Sequence, residues 1–396
     1  MRAPARGMAI ALIATAVCAS AARSSLIVAP DVSVRDGGMG GNVVATPTDG
    51  ASTLLVNPAG VTRMRGTRLE DSIFLLFTSG RYSNAAIGYD TKSSELPVAP
   101  TLWIGTDKWR PWFFGFGLYG TAGASFNFPG NPATGIPNRF LSEFTVIQAG
   151  FVAGVHLTET LRLGAQVAPT YGAIKVRTGS PLGPVRYDID GIGVNGVVGL
   201  LWEATRTTTF GLSWRSPTVI PMSGDGDVGD ADEEVEIDFH TPQLVTFGLA
   251  HRLTPKLTVS LQARWSDYPE FEKGEFEFQN FPMLNQPFVS GARSTFRYGA
   301  GLEYAVAPWA DLWLGVSREE WMIEEKSLSP LLYDTTDVLI GFGTGISRGR
   351  WTIRLVGGVA SVEDRVATAD SNPRFPGRYQ LEGGVAGLGI RYLFSP

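Results

Sequence analysis

The chain has 396 residues, a formal net charge of −5 and a single cysteine, Cys18. The mild negative charge argues against a nucleic-acid partner, and one cysteine leaves no disulfide pair. With 48 glycines and 11% aromatic residues, the length admits either two soluble domains or one large barrel.

The chain opens with Arg2 and Arg6, an apolar stretch from Met8 to Ala16, and small residues at Ala19-Ser20-Ala21. That order is a cleavable secretion signal, so residues 1–21 stand apart from the fold. Cys18 falls inside it, which leaves the mature chain no thiol for a metal or a nucleophile. A lipid anchor at Cys18 is the alternative, but Thr15-Ala16-Val17 lacks the leucine and small last residue of such sites. Beyond the signal no stretch reaches the ~18–20 continuous apolar residues of a membrane helix.

Next comes a loose segment with Gly37, Gly38, Gly40 and Gly41, followed by small residues and then Asn57-Pro58-Ala59-Gly60. Glycine loses more entropy on ordering than any other residue, so other structure must hold this stretch in place.

From there the pattern is strands. Leu257, Val259, Leu261, Ala263 and Trp265 alternate with Thr258, Ser260, Gln262 and Arg264, a strand with one apolar face. The same period of two runs through Leu161 to Val167, Phe210 to Arg215, Tyr298 to Tyr304 and Trp351 to Leu355. Gly164, Gly211, Gly299 and Gly301 occupy polar-face positions, and small inward residues would leave a lumen.

Short links at 158–160, 254–256, 307–310 and 348–350 alternate with long ones near 126–140, 176–190, 216–242, 268–295, 319–335 and 363–378. Sorted loop lengths fit an antiparallel transmembrane barrel, with short periplasmic turns and long outer loops, better than a sandwich. Residues 67 to 394 accommodate about fourteen strands, an even number as single-chain barrels require. Trp103, Trp109, Trp112, Trp202, Trp265, Trp309, Trp313 and Trp351 sit at strand ends, as expected of an interfacial girdle. The all-β barrel is therefore the predicted fold, and no cofactor or metal is implied.

The glycine cluster and Asn57-Pro58-Ala59-Gly60 resemble the N-terminal plug of the outer-membrane long-chain fatty-acid transporter family, the FadL type, which includes channels for aromatic hydrocarbons. Gly211 to Pro217, Thr241-Pro242-Gln243 with Trp265 to Tyr268, and Phe296 to Tyr304 resemble later segments of that family in order and spacing. Gly389 to Phe394 resembles the closing-strand signal read by the barrel-insertion machinery, although Ser395 and Pro396 follow it.

The resemblance implies a monomer in the outer membrane of a Gram-negative bacterium, in contact with its lipid. It implies a plug over residues 22–65 (Gly38, Gly40, Gly41, Asn57, Pro58, Ala59 and Gly60), whose end near Leu26 to Val32 shifts on release, and a barrel over 66–396. The ligand would be a long-chain fatty acid or another hydrophobic small molecule. A third-strand kink would open the wall sideways, and Gly115, Gly117, Gly120 and Gly123 are the candidates. Glycine inside a strand marks a bend; the alternative is that these glycines make room beside the plug.

Arg215, Arg264 and Arg354 lie on polar strand faces and should point inward. A ligand carboxylate would suit their paired donors, and pairing with plug or wall carboxylates such as Glu303 is the competing role. Phe271, Phe276, Phe278 and Phe281 make the following loop unusually apolar, as a capture surface or as a cap over the mouth. Asp225 to Asp238 form an acidic stretch that lacks a calcium-loop pattern and reads as solvated. His156, His240 and His251 are dispersed, with no nucleophile elbow, so no enzyme is expected. An aromatic-hydrocarbon channel and a plugged barrel that serves a secretion partner are the alternative functions.

Overall fold

A computed structural model describes residues 33–48 and 50–395. The signal over residues 1–21, the anchor alternative at Cys18, the Leu26 to Val32 stretch and Pro396 lie outside the described residues.

The strands form a closed antiparallel barrel of 14. The first six are β1 (Thr67–Asn84), β2 (Tyr89–Glu95 and Val98–Thr106), β3 (Trp112–Phe128), β4 (Phe140–His156), β5 (Leu161–Ser180) and β6 (Gly183–Trp202). β7 (Thr208–Arg215 and Thr218–Val228), β8 (Ala231–Thr241 and Leu244–Arg252), β9 (Leu257–Ser266) and β10 (Thr295–Ala307) follow. β11 (Ala310–Glu319), β12 (Asp337–Arg348), β13 (Trp351–Val362) and β14 (Gly377–Ser395) complete the circuit. β1 pairs with β14 from Arg68 opposite Leu393 to Ser83 opposite Arg378, so the sheet closes on itself.

The period-two faces hold: Ser260 is 1% exposed and its neighbour Leu261 51%. Phe151, Val167, Ile192, Val194, Phe247, Phe342 and Val359 extend the exposed apolar belt around the outside, a surface suited to lipid. Trp109, Trp112, Trp202, Trp309 and Trp351 are exposed near the short turns, as a girdle requires. Trp103 and Trp313 are buried and belong to the interior instead, because their positions fall on the inward face of the pleat.

Two of the expected long loops are strand. Residues 176–190 continue β5 and β6 through a tight turn, and 218–241 form a hairpin turning at Gly229, whose φ of +63° suits glycine. In that hairpin Val235, Ile237 and Phe239 are buried while Glu234, Glu236 and Asp238 are exposed. The acidic stretch thus has an apolar face of its own, and the outer sheet continues above the belt.

The N-terminal segment, residues 33–48 and 50–66, lies against the inner wall. It holds α1 (Val34–Gly38), α2 (Gly50–Leu55) and a tight helical turn over Pro58–Arg63. Ser33 caps α1 by accepting a bond from the Asp36 N–H at 3.0 Å. Inward glycines of the strands admit the segment's backbone: a side chain at Gly164 would meet Pro58 and Ala59, at Gly211 Val44, and at Gly315 Met39. These glycines therefore do not leave empty lumen, because the segment occupies the space they vacate.

Candidate ligand pocket and wall gap

Asn57 anchors the segment three ways. Its side-chain oxygen accepts from the Ala59 N–H at 3.1 Å, and its amide donates to the Val44 carbonyl at 2.8 Å and to the Leu200 carbonyl of β6 at 3.1 Å. Pro58 begins the helical turn, where a missing N–H costs nothing. Gly40 and Gly41 have φ of +62° and +74°, a region that strongly favours glycine. Gly38 lies beside Trp313, and Gly60 beside Pro47. Further ties reach other strands: Gln262 of β9 accepts from the Val44 N–H and donates to the Gly41 carbonyl, both at 2.9 Å. Asn42 donates to the carbonyls of Ala300 on β10 and Val316 on β11 at 3.1 Å. Arg35 forks onto Glu303 at 2.7 and 3.1 Å.

Above the segment is a pocket of about 70 Å³. Leu55 and Val56 form part of its wall, with Phe144, Gln148 and Asn195 around it and Phe271 from the loop after β9. Its charged lining consists of three arginines, Arg215, Arg264 and Arg297, and no carboxylate.

The three differ in their partners. Arg264 is committed to Glu319, at 2.7 and 2.9 Å, and Tyr268 donates its hydroxyl to the same carboxylate at 3.2 Å. Among the described residues Arg215 donates only to neutral acceptors, the Leu55 carbonyl at 2.8 Å and the Gln148 side chain at 3.3 Å. Arg297 donates to Ser317 and to the Gly40 carbonyl, and its Nη1 is buried without a partner. Arg354 is not part of the pocket; it reaches Glu70 at 3.4 Å. Glu303, the sequence candidate for pairing with these arginines, is bound by Arg35. Arg297 shares its inward face with Gly299, Gly301 and Glu303, so the alternation in β10 carried the signal for it.

The wall beside the pocket is irregular. Pairing of β3 with β4 slips between Gly120 and Ala122, which leaves Thr121 as a bulge. Thr121 and Ala122 both line the pocket. Among the described residues, β2 pairs with β3 only from Thr101 opposite Tyr119 to Thr106 opposite Phe114. Beyond Tyr119 the strands part, with the Asn127 N–H donating across to the Ser93 hydroxyl at 3.0 Å. The four candidate glycines thus divide by surroundings. Gly115 and Gly117 abut Trp103 and Leu54 and make room for the interior packing. Gly120 and Gly123 flank the slip.

Over the pocket the outer loops pack inward. Phe271, Phe276 and Phe278 are buried with Phe239 and Tyr187, and Phe281 packs against the same cluster. Phe239 lies 4.9 Å from both Phe144 and Phe288, ring centre to ring centre. The rings form a cap, and of the four loop phenylalanines Phe271, Phe276, Phe278 and Phe281, Phe271 is the one that lines the pocket.

A closed barrel of even strand number with an apolar outer belt has the architecture of the bacterial membrane-barrel class. Solved structures match over nearly the whole chain. A FadL homologue of Pseudomonas aeruginosa is 14% identical, with 93% of this chain and 100% of that one covered and a TM-score of 0.78. The toluene transporter TodX of Pseudomonas putida is 16% identical over 94% and 100%, with a TM-score of 0.73. The toluene transporter TbuX of Ralstonia pickettii is 16% identical over 91% and 98%, with a TM-score of 0.71. No family model and no curated protein matches the sequence. The chain has the fold of the FadL and TodX type of channel.

Proposed function

We propose that this protein is an outer-membrane channel that admits long-chain carboxylic acids by diffusion, with residues 33–66 as its plug. The carrying observation is the pocket in which Arg215 donates to neutral acceptors alone among the described residues, beside the unbonded Nη1 of Arg297. A buried guanidinium without an anionic partner is unfavourable, and a ligand carboxylate offers it a matching pair of acceptors. The apolar wall, with Phe144 and Phe271, suits the hydrocarbon chain.

The pocket is too narrow for such a chain as it stands, so entry needs the cap or the segment to move. Thr121 and Ala122 set the pocket beside the parted edges of β2 and β3, which supports sideways release into the membrane at Gly120 to Gly123. The fold carries no visible energy source.

Uptake of labelled oleate, beside labelled toluene, in a Gram-negative strain without its own transporter is the test. Oleate uptake should appear with this protein and fall about tenfold in Arg215→Gln, on the worth of a charge-assisted bond. Toluene uptake alone would instead select an aromatic-hydrocarbon channel, which the ring-lined wall and the likeness to the toluene transporters TodX and TbuX favour. Failure of both with a folded barrel would select the secretion-partner alternative.

A further inference from the structure

At the end of the barrel that carries the short turns, a second basin of about 700 Å³ opens below the segment, and it shares no lining residue with the pocket above. Four arginines line it, Arg63, Arg65, Arg110 and Arg162, against one carboxylate, Glu203.

Arg63, from the end of the segment, and Arg162, from β5, both bind Glu203, at 3.3 and 2.8 Å. One carboxylate thus serves two guanidiniums, and the Arg162 Nε is buried with no partner. Arg110 is paired outside the lining, with Asp107 at 2.6 Å. Arg65 is exposed and makes no ion pair among the described residues. The basin therefore holds positive charge that its own walls do not neutralise.

The rest of its lining is Thr62, Met64, Pro111, Phe113 and His156. Met64 and Phe113 are buried behind it; the ring of His156 stacks on Phe113 at 5.2 Å, and the Arg110 guanidinium lies 5.9 Å from the centre of the same ring. Cationic forks short of carboxylates match the carboxylate of a ligand, and the exposed ring of Pro111 beside them leaves its apolar end a contact.

We propose that this basin is a second binding site, for an amphiphilic monocarboxylate, at the periplasmic mouth. The chemical class rests on the carboxylate reading of the upper pocket, but the site is built from different residues. Because Arg63 belongs to the segment and Glu203 to the wall, a bound carboxylate competes with Glu203 for the contact that fastens the segment's end.

The test uses the full chain in nanodiscs, with octanoate as the probe, octanol and inorganic phosphate as controls, and a diazirine-bearing fatty acid to locate the label by mass spectrometry. Octanoate should still bind in Arg215→Gln, label residues 62–65 or 110–113, and bind about tenfold more weakly when Arg65→Gln is added, as expected for loss of a charged hydrogen-bond donor. Arg65 is exposed, so this variant keeps the fold. Loss of all binding in Arg215→Gln, label confined to the upper pocket or the lipid belt, or unchanged affinity in Arg65→Gln and Arg162→Gln would each overturn the proposal. Equal affinity for phosphate or octanol would overturn the amphiphile assignment. If basin binding persists while oleate uptake is absent, the transport reading fails and the site stands.

Discussion

The two halves of the barrel interior are filled by different physics. The inner half is filled by the N-terminal segment, held by directional bonds to the wall: Asn57 to Leu200, Asn42 to Ala300 and Val316, Gln262 to Gly41, and Arg63 to Glu203. The centre of the outer half is filled by rings, among them Phe144, Phe239, Phe271, Phe276 and Phe288, whose contacts with one another are apolar, while hydrogen bonds such as Asn372 to Leu328 and Tyr333 to Gln380 tie the loops around them. Hydrogen bonds demand one geometry, whereas apolar packing tolerates repacking. The inner half is thus built to stay and the outer half to yield, and the arginine-lined pocket lies at the seam.

The largest expected effect is in the outer half. Phe239→Ala, at a fully buried position, should loosen the cap by about 3–4 kcal/mol. Hydrogen exchange should rise in residues 268–295 while the barrel's own unfolding transition stays in place. A lowered barrel transition would mean that the cap is not an independent unit. In the inner half, Gly315→Val forces a side chain into the Met39 backbone and should cost about 3 kcal/mol. The segment should then leave the wall, read as a larger single-channel conductance in planar bilayers.

Asn57→Ala removes three bonds without adding bulk and should cost about 2 kcal/mol. Barrel assembly on gels should be intact, oleate uptake should fall, and conductance should rise less than in Gly315→Val. Unchanged uptake would remove the segment from the transport path.

The smallest effect is a pH dependence of the cap. Asp334, in the loop after β11, accepts the backbone N–H bonds of Met322 and Ile323 and pairs with Arg365 at 2.9 Å. Burial outweighs these bonds and pushes its carboxyl up from 3.8 to about 6. The folded loop therefore holds the proton more tightly than the unfolded chain. The stabilisation is complete below the unfolded value near 3.8 and is lost as pH rises through about 6. Exchange at Met322 and Ile323, corrected for intrinsic rate, should show a cap roughly 1–2 kcal/mol tighter at about pH 5 than at about pH 7. Asp334→Asn should flatten that dependence, and a dependence that survives would assign it to another group.

Much of the barrel was legible in order along the chain. A period of two needs only neighbouring residues, so the faces of β9 and the inward aim of Arg215, Arg264 and Arg354 could be read directly. The sorted turns followed from spacing alone. Residues 176–190 and 218–241 misled because a strand that leaves the membrane stops needing an apolar outer face, so its polar outer positions look like loop. Trp103 and Trp313 misled because position near a strand end says nothing about which face of the pleat a ring occupies.

What only the closed structure decided is which cations are left without an anion. Arg264 meets Glu319, Arg354 meets Glu70 and Arg63 meets Glu203 across separations of 55, 284 and 140 residues. Such pairs depend on which strands closure brings together and on how high each side chain sits in the wall. Local sequence determines that an arginine points inward; the circuit of the barrel determines whether a carboxylate waits for it. Arg215 and Arg297, which find none at bonding distance, became distinct from the others only there.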